Sequence, residues 1–208
     1  MNKLPISLKG KNLHEPKNLK WFGVCGILAP VVAFVCILSA ITSYAQFSWF
    51  DNALSDLGVV LGVTRLIFNA GLISSGLLAL AFGVGLFIFL GRNVVSRVGC
   101  SVFVLASLAL IAIGVFPEST GRTHLFVSVM FFVLLPVSLL IIVISFVQMR
   151  KIRMAVFTLF ISVVAALPWV LQFTNHYAVG VAIPETVSAL AGSAWAIVVG
   201  SIIIGRAS

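Results

Sequence analysis

Six stretches of the chain are continuously apolar and long enough to cross a bilayer, at roughly 22–43, 65–90, 98–116, 124–149, 154–174 and 185–205. A hydrocarbon core about 30 Å thick calls for about 20 apolar residues of helix. Inside lipid the backbone must satisfy its own hydrogen bonds, so only helices or a closed barrel can span it. Barrel strands alternate apolar and polar positions. These runs do not alternate, which predicts helices. The expected fold is an all-α integral membrane protein, with six transmembrane helices in three in–out–in hairpins. One more element is expected in the first outer loop. Ser48-Trp49-Phe50-Asp51-Asn52-Ala53-Leu54-Ser55-Asp56-Leu57-Gly58 mixes interface-seeking aromatics with polar residues. It reads as a short interfacial or re-entrant helix capped by Asp51 or Asn52 and ended by Gly58. Asp56 then falls late in that helix, where a carboxylate opposes the dipole. A basic partner, Arg65 or Arg122, is expected to hold it.

Composition agrees with the pattern. Of 208 residues, 61% are hydrophobic and 9% charged, whereas a soluble domain carries about 25% charged residues. A water-soluble fold is excluded. The chain divides into a basic tail, 1–20, and a six-helix transmembrane domain, 21–208. The first apolar run is long enough to stay in the membrane as a signal anchor. Of the thirteen Lys and Arg, all but Arg65 and Arg122 fall on one side of this topology. They are Lys3, Lys9, Lys11, Lys17, Lys20, Arg92, Arg97, Arg150, Lys151, Arg153 and Arg206. The positive-inside rule makes that side cytoplasmic, with both termini inside a cell membrane. A net charge of +8 placed beside membrane ends serves topology and anionic headgroups, not nucleic acid. Asp51, Asp56, Glu118 and Glu185 all fall on the outer side.

The membrane midplane is empty of charge. No ionisable Asp, Glu, Lys, Arg or His lies deep within a span, which counts against proton-coupled carriers, voltage sensors and ion channels. With His124 and His176 outside and His14 in the tail, a bis-histidine haem site is poorly served. Cys25 and Cys36 share a helix but stand about 16 Å apart along it, too far for a disulfide; with Cys100 they read as small apolar fillers. Gly192, Ala196 and Gly200, like Gly71, Ser75, Ala79 and Gly83, form stripes that let helices approach closely. Such stripes serve packing within the bundle or a homo-oligomer. Pro30, Pro136 and Pro168 interrupt three helices, whose freed carbonyls neighbouring helices can satisfy.

The chemistry therefore concentrates on the outer face. Phe116-Pro117-Glu118-Ser119-Thr120-Gly121-Arg122-Thr123-His124 joins the third and fourth spans, with Ser119 or Thr123 as cap. Asn175-His176-Tyr177 leads to Pro184-Glu185, where proline suits a first turn and glutamate the positive helix end. Capping accounts for Glu185, and an exposed loop position for His176. Asp56, Glu118 and His124 are harder to dismiss, because a carboxylate at a membrane protein's interior needs a partner or a purpose. They are the candidate catalytic acids and base, with Ser55, Arg65, Asn69, Arg122 and His176 as candidate ligand-binding residues. Three readings remain open: a salt-bridge network tying the loops, an organic-ligand or catalytic site, or a divalent metal held by Asp56, Glu118 and His124. No cofactor is otherwise expected, since the chain has no metal motif, phosphate loop or nucleophile elbow.

At these residues the chain resembles an uncharacterised prokaryotic multi-pass family known as domain of unknown function 998. The resemblance rests on Asn52-Ala-Leu-Ser-Asp-Leu-Gly58, Arg65 with Phe68-Asn69, and Gly114-Val-Phe-Pro-Glu118 followed by His124 and Phe131-Phe132. It covers nearly the whole chain beyond the tail. More distantly, the Ser-Asp-x-Gly and Phe-Asn elements are similar to eukaryotic Frag/DRAM/Sfk membrane proteins, some of them associated with glycolipid remodelling. The resemblance implies six helices and a lipid connection, and no established activity. Alkaline-ceramidase-type hydrolases ring a zinc with several histidines and an aspartate; the histidines here lack that spacing. The leading expectation is an outward-facing pocket formed by Asp56, Arg65, Asn69, Glu118 and His124 that binds, and in one version modifies, a lipid headgroup or small amphiphile. In it Arg65 meets an anionic group while His124 and a carboxylate handle a proton. The alternative is a non-enzymatic accessory or structural subunit whose polar cluster only ties the outer loops.

Overall fold

Each expected span is a helix in the structure, a computed structural model describing residues 19–91 and 93–206. They are α1 (Leu19–Thr42), α2 (Val63–Leu90), α3 (Val94–Val115), α4 (Arg122–Gln148), α5 (Ile152–Asn175) and α6 (Ala182–Arg206). All six are long and apolar enough to cross a membrane. The observed helices begin two to four residues before the apolar runs do, because polar and charged residues supply their first turns. Most of the basic tail, with Lys3, Lys9, Lys11 and Lys17, lies outside the described residues, as does Arg92.

Consecutive helices pack side by side, and α6 returns to α1, closing a ring. Trp195 fills its middle, with ring centroids 6.1 Å from Phe82 and 5.7 Å from Phe103. Its indole N–H donates to the Thr158 hydroxyl at 3.1 Å, so the one polar atom of this buried ring is satisfied. The small-residue stripes are used inside the bundle. A Cβ on Gly200 would sit 2.6 Å from the Gly23 carbonyl oxygen, and one on Gly192 would press on Leu135. Only glycine allows α1 and α6 that approach. Hydroxyls from neighbouring helices reach carbonyls beside the prolines: Ser75 to Ala29, Ser162 to Pro136 and Ser188 to Ala165, at 2.6–2.9 Å.

The two ends of the ring differ. One end gathers Arg97, Arg150, Lys151, Arg153 and Arg206, with Lys151 and Arg206 over the Phe89 ring at 5.5 and 5.0 Å. The opposite, acidic end carries Asp51, Asp56, Glu118 and Glu185. Two short 3-10 turns shape it, Leu54–Gly58 after α1 and Glu118–Thr120 before α4. Leu54 and Leu57 anchor the first turn in an apolar cluster with Phe68, Leu72 and Ile113.

Candidate functional site

The Leu54–Gly58 turn corrects the expected interfacial helix. Neither Asp51 nor Asn52 caps it; the cap position is Ala53, and Asp56 is the third residue of the turn. The Asp56 carboxylate reaches back to accept from the Ala53 N–H at 3.1 Å and from the Asn52 side-chain amide at 2.6 Å. A carboxylate in a first turn satisfies N–H groups that have no helical partner. Its place is thus explained by backbone hydrogen bonding, and the expected ion pair with Arg65 or Arg122 does not form among the described residues. Both arginines are exposed. The salt-bridge lattice is replaced by a carboxyl pair, in which the protonated Glu118 carboxyl donates to the Asp56 carboxylate.

Glu118 is held by the second turn, whose N-cap is Pro117. The Asp56 hydrogen bond, then desolvation, then the Asp56 charge raise its carboxyl from 4.5 to about 7. Glu118 is itself exposed, so the neighbouring carboxylate is the first cause and burial the second. A group titrating there exchanges its proton near neutral pH.

His124 lies in the first turns of α4, which starts at Arg122 with Gly121 as N-cap, in place of the expected Ser119 or Thr123. Its ring is buried. Nδ1 sits 2.7 Å from the Phe116 carbonyl oxygen, which only accepts, so Nδ1 carries the hydrogen. In the neutral ring Nε2 is then an acceptor, and the Ser128 hydroxyl one turn on donates to it at 3.2 Å.

Glu185 completes the cluster from α6. Capping explains less of it than expected, for Glu185 is 6% exposed and reaches across the bundle. Its Oε2 accepts from the Leu54 N–H at 2.6 Å. The segment before α6 is fastened alongside. Gly180 N–H donates to the Phe50 carbonyl at 2.8 Å and Ala182 N–H to the Asn52 carbonyl at 2.9 Å.

These residues open onto two cavities. A groove of about 760 Å³ runs along α4 and α5, with Glu118, His124, Ser128, Ser55 and Glu185 at its head. Its length is apolar, lined by Val137, Leu140, Ala166, Trp169 and Phe173 among others. Trp169 is fixed as a wall, its indole N–H donating to Ser188 at 2.9 Å and its ring packed 4.7 Å from Phe132. An inner cavity of about 130 Å³ adjoins it and shares Ser55, Ser128, Phe132 and Glu185.

The other candidates are placed elsewhere. Asn69 donates to the Gly58 carbonyl at 3.0 Å and seals the first turn from below; neither it nor Arg65 lines a cavity. Arg122 flanks the groove without lining it. His176 is the exposed residue that ends α5, in left-handed conformation at φ 47°. Among the described residues, no three His, Cys, Asp or Glu side chains are arranged to hold a metal.

Over residues 27–202 the chain matches the model of a family described as "Protein of unknown function (DUF998)". The chain belongs to that family. No curated protein and no solved structure matches it. In this DUF998 member the match takes in every residue of the head cluster. Sequence reasoning missed two of them, Glu185 and Ser128. Glu185 was hidden by its position in a first helical turn, where a glutamate has a local explanation. For Ser128 the signal was present: it stands four residues after His124, one helical turn away on the same face.

Proposed function

We propose that this DUF998 protein binds a membrane amphiphile, with the headgroup at the Glu118–His124–Glu185 cluster and the tail in the groove along α4 and α5. The observation that carries the reading is the continuity of one groove from a polar head to an apolar, aromatic-walled length. Ligand sites combine such apolar lining with a few convergent polar groups. A cavity of about 760 Å³ falls within the usual range of about 300–1,000 Å³ for small-molecule sites. The acidic end faces outward in this reading, because the basic residues cluster at the other end. The similarity of the Ser-Asp-x-Gly and Phe-Asn elements to Frag/DRAM/Sfk proteins points toward lipids as well.

A structural role has an observation of its own. Asp56 ties its own turn together and Glu185 fastens that turn to α6, which is what loop-tying subunits need. That role leaves the groove and Ser55 without a purpose. The test is Ala166→Trp, which places an indole in the groove. A tail-bearing photoreactive lipid analogue should label the groove walls of the wild type and lose most of that labelling in the variant at unchanged melting temperature. Unchanged groove labelling in a folded Ala166→Trp protein would overturn the reading; Val137→Trp serves if the first variant does not fold.

A further inference from the structure

The head of the groove is built almost entirely of acceptors. Glu118 and Glu185 line it, Asp56 is paired with Glu118 without lining either cavity, and His124 turns its acceptor nitrogen, Nε2, toward Ser128. No Lys or Arg among the described residues lines either cavity. Arg65 and Arg122, the two cations at this end, are exposed. An anionic headgroup would meet two carboxyls at close range with nothing to offset them.

A second observation, independent of the acids, points to an occupant. Ser55 is 8% exposed, lines both cavities, and its hydroxyl makes no hydrogen bond among the described residues. A hydroxyl without a partner in the chain, at the junction of two cavities that Glu185 also lines, can accept from a group the chain itself does not supply.

Resting on the amphiphile reading above, we propose that the headgroup is an N–H-bearing cation, a primary or secondary alkylammonium, held by Glu118 and Glu185 with Ser55 as a third acceptor. Such a nitrogen has two or three hydrogens to place, and charge-assisted bonds to carboxylates are the strong ones. Asp56 deepens the negative potential. The arrangement also sets a pH dependence. An alkylammonium keeps its proton up to about pH 10, whereas Glu118 gains its charge near pH 7. Binding therefore strengthens as pH rises through neutrality. The other groups at the head are Asp56 on the first turn, Glu185 on α6 and His124 on α4, with the exposed Arg122 flanking it. The Glu118→Gln variant assigns the effect to Glu118.

The experiment uses the full chain in phosphatidylcholine nanodiscs and three photoreactive twelve-carbon probes of identical tail, bearing an amine, a hydroxyl or a phosphate. Labelled residues are located by mass spectrometry. At pH 8 the amine probe should label the groove about tenfold more than the hydroxyl probe, as one charge-assisted hydrogen bond provides. The preference should shrink at pH 5.5 and in Glu118→Gln, and Ser55→Ala should weaken it at all pH values. Equal groove labelling by all three heads overturns the ammonium assignment and leaves the amphiphile groove standing. Preference for phosphate overturns it and assigns the head to the arginines. Absence of groove labelling by every probe overturns the amphiphile reading itself.

Discussion

At His124 the hydrogen bond to Phe116 decides which ring nitrogen can work. Phe116 ends α3, and its carbonyl is one of the groups a helix terminus leaves without an internal partner. The ring therefore holds α3 to α4 with one nitrogen and presents the other to Ser128 and the groove. Asparagine can place an amide N–H where Nδ1–H now lies, and leucine cannot. His124→Leu should cost about 1–3 kcal/mol through the unsatisfied carbonyl, and His124→Asn should recover much of it in a thermal melt. Equal loss in both variants would remove the Phe116 bond from the account. Glu118 makes a separate prediction. Its folded carboxyl titrates at about 7 against 4.5 for the free group. Between those values the native state holds a proton that the unfolded chain has released, so stability falls as pH rises across that window. Glu118→Gln should flatten the fall in melting temperature between about pH 5 and 7.5. A wild-type profile unchanged by the substitution would show that the Asp56–Glu118 pair is not made.

Among the elements, the Leu54–Gly58 turn and the segment before α6 are joined more closely than any sequence pattern shows. A Cβ on Gly180 would collide with the Asn52 backbone, and backbone cannot yield as a flexible side chain does. Gly180→Ala should break the paired bonds to Phe50 and Asn52 and cost about 1–3 kcal/mol, while Gly205→Ala, with nothing near its Cβ, should be silent. Glu185→Gln separates bond from charge, since its amide oxygen can still accept from Leu54. If Glu185 serves only to hold the turn, that variant should melt like the wild type and keep its ligand; loss of amine labelling at retained stability places the charge in binding. The spans were legible because lipid imposes one rule on every helix, continuous apolar length, which shows in a single stretch of chain. Trp49, Phe50 and Gly58 marked the first outer turn for similar reasons. The partners of Asp56 and Glu185 were not legible. The sequence pattern places Asp56 at the end of a longer helix beside an arginine, whereas it lies in the first turn of a shorter one and accepts from N–H groups. Glu185 meets Leu54 across 131 residues, and no local pattern encodes such a contact.

For the whole molecule, the charge separation between its ends is the feature that orients it. Six described cations, Lys20 among them, sit at the end with the α2–α3 and α4–α5 turns, against Arg65 and Arg122 at the other. Translocation penalises Lys and Arg beside the spans far more than Asp and Glu, and on that ground we propose that the basic end stays in the cytoplasm and the groove head opens outward. The ring of helices gives both ends the same connectivity, so packing alone does not choose between orientations; charge does. In a background with Cys25, Cys36 and Cys100 replaced, Ser119→Cys marks the acidic end and Gly205→Cys the basic end, both at exposed positions. A membrane-impermeant maleimide should label Ser119→Cys in intact cells and Gly205→Cys only after permeabilisation. The reverse pattern would put the carboxyl cluster inside, where any amphiphile would reach it from the inner leaflet. Labelling of both positions in intact cells would mean mixed insertion. Adding Arg65→Glu and Arg122→Glu should then leave the pattern unchanged, because the cations that set it are at the other end.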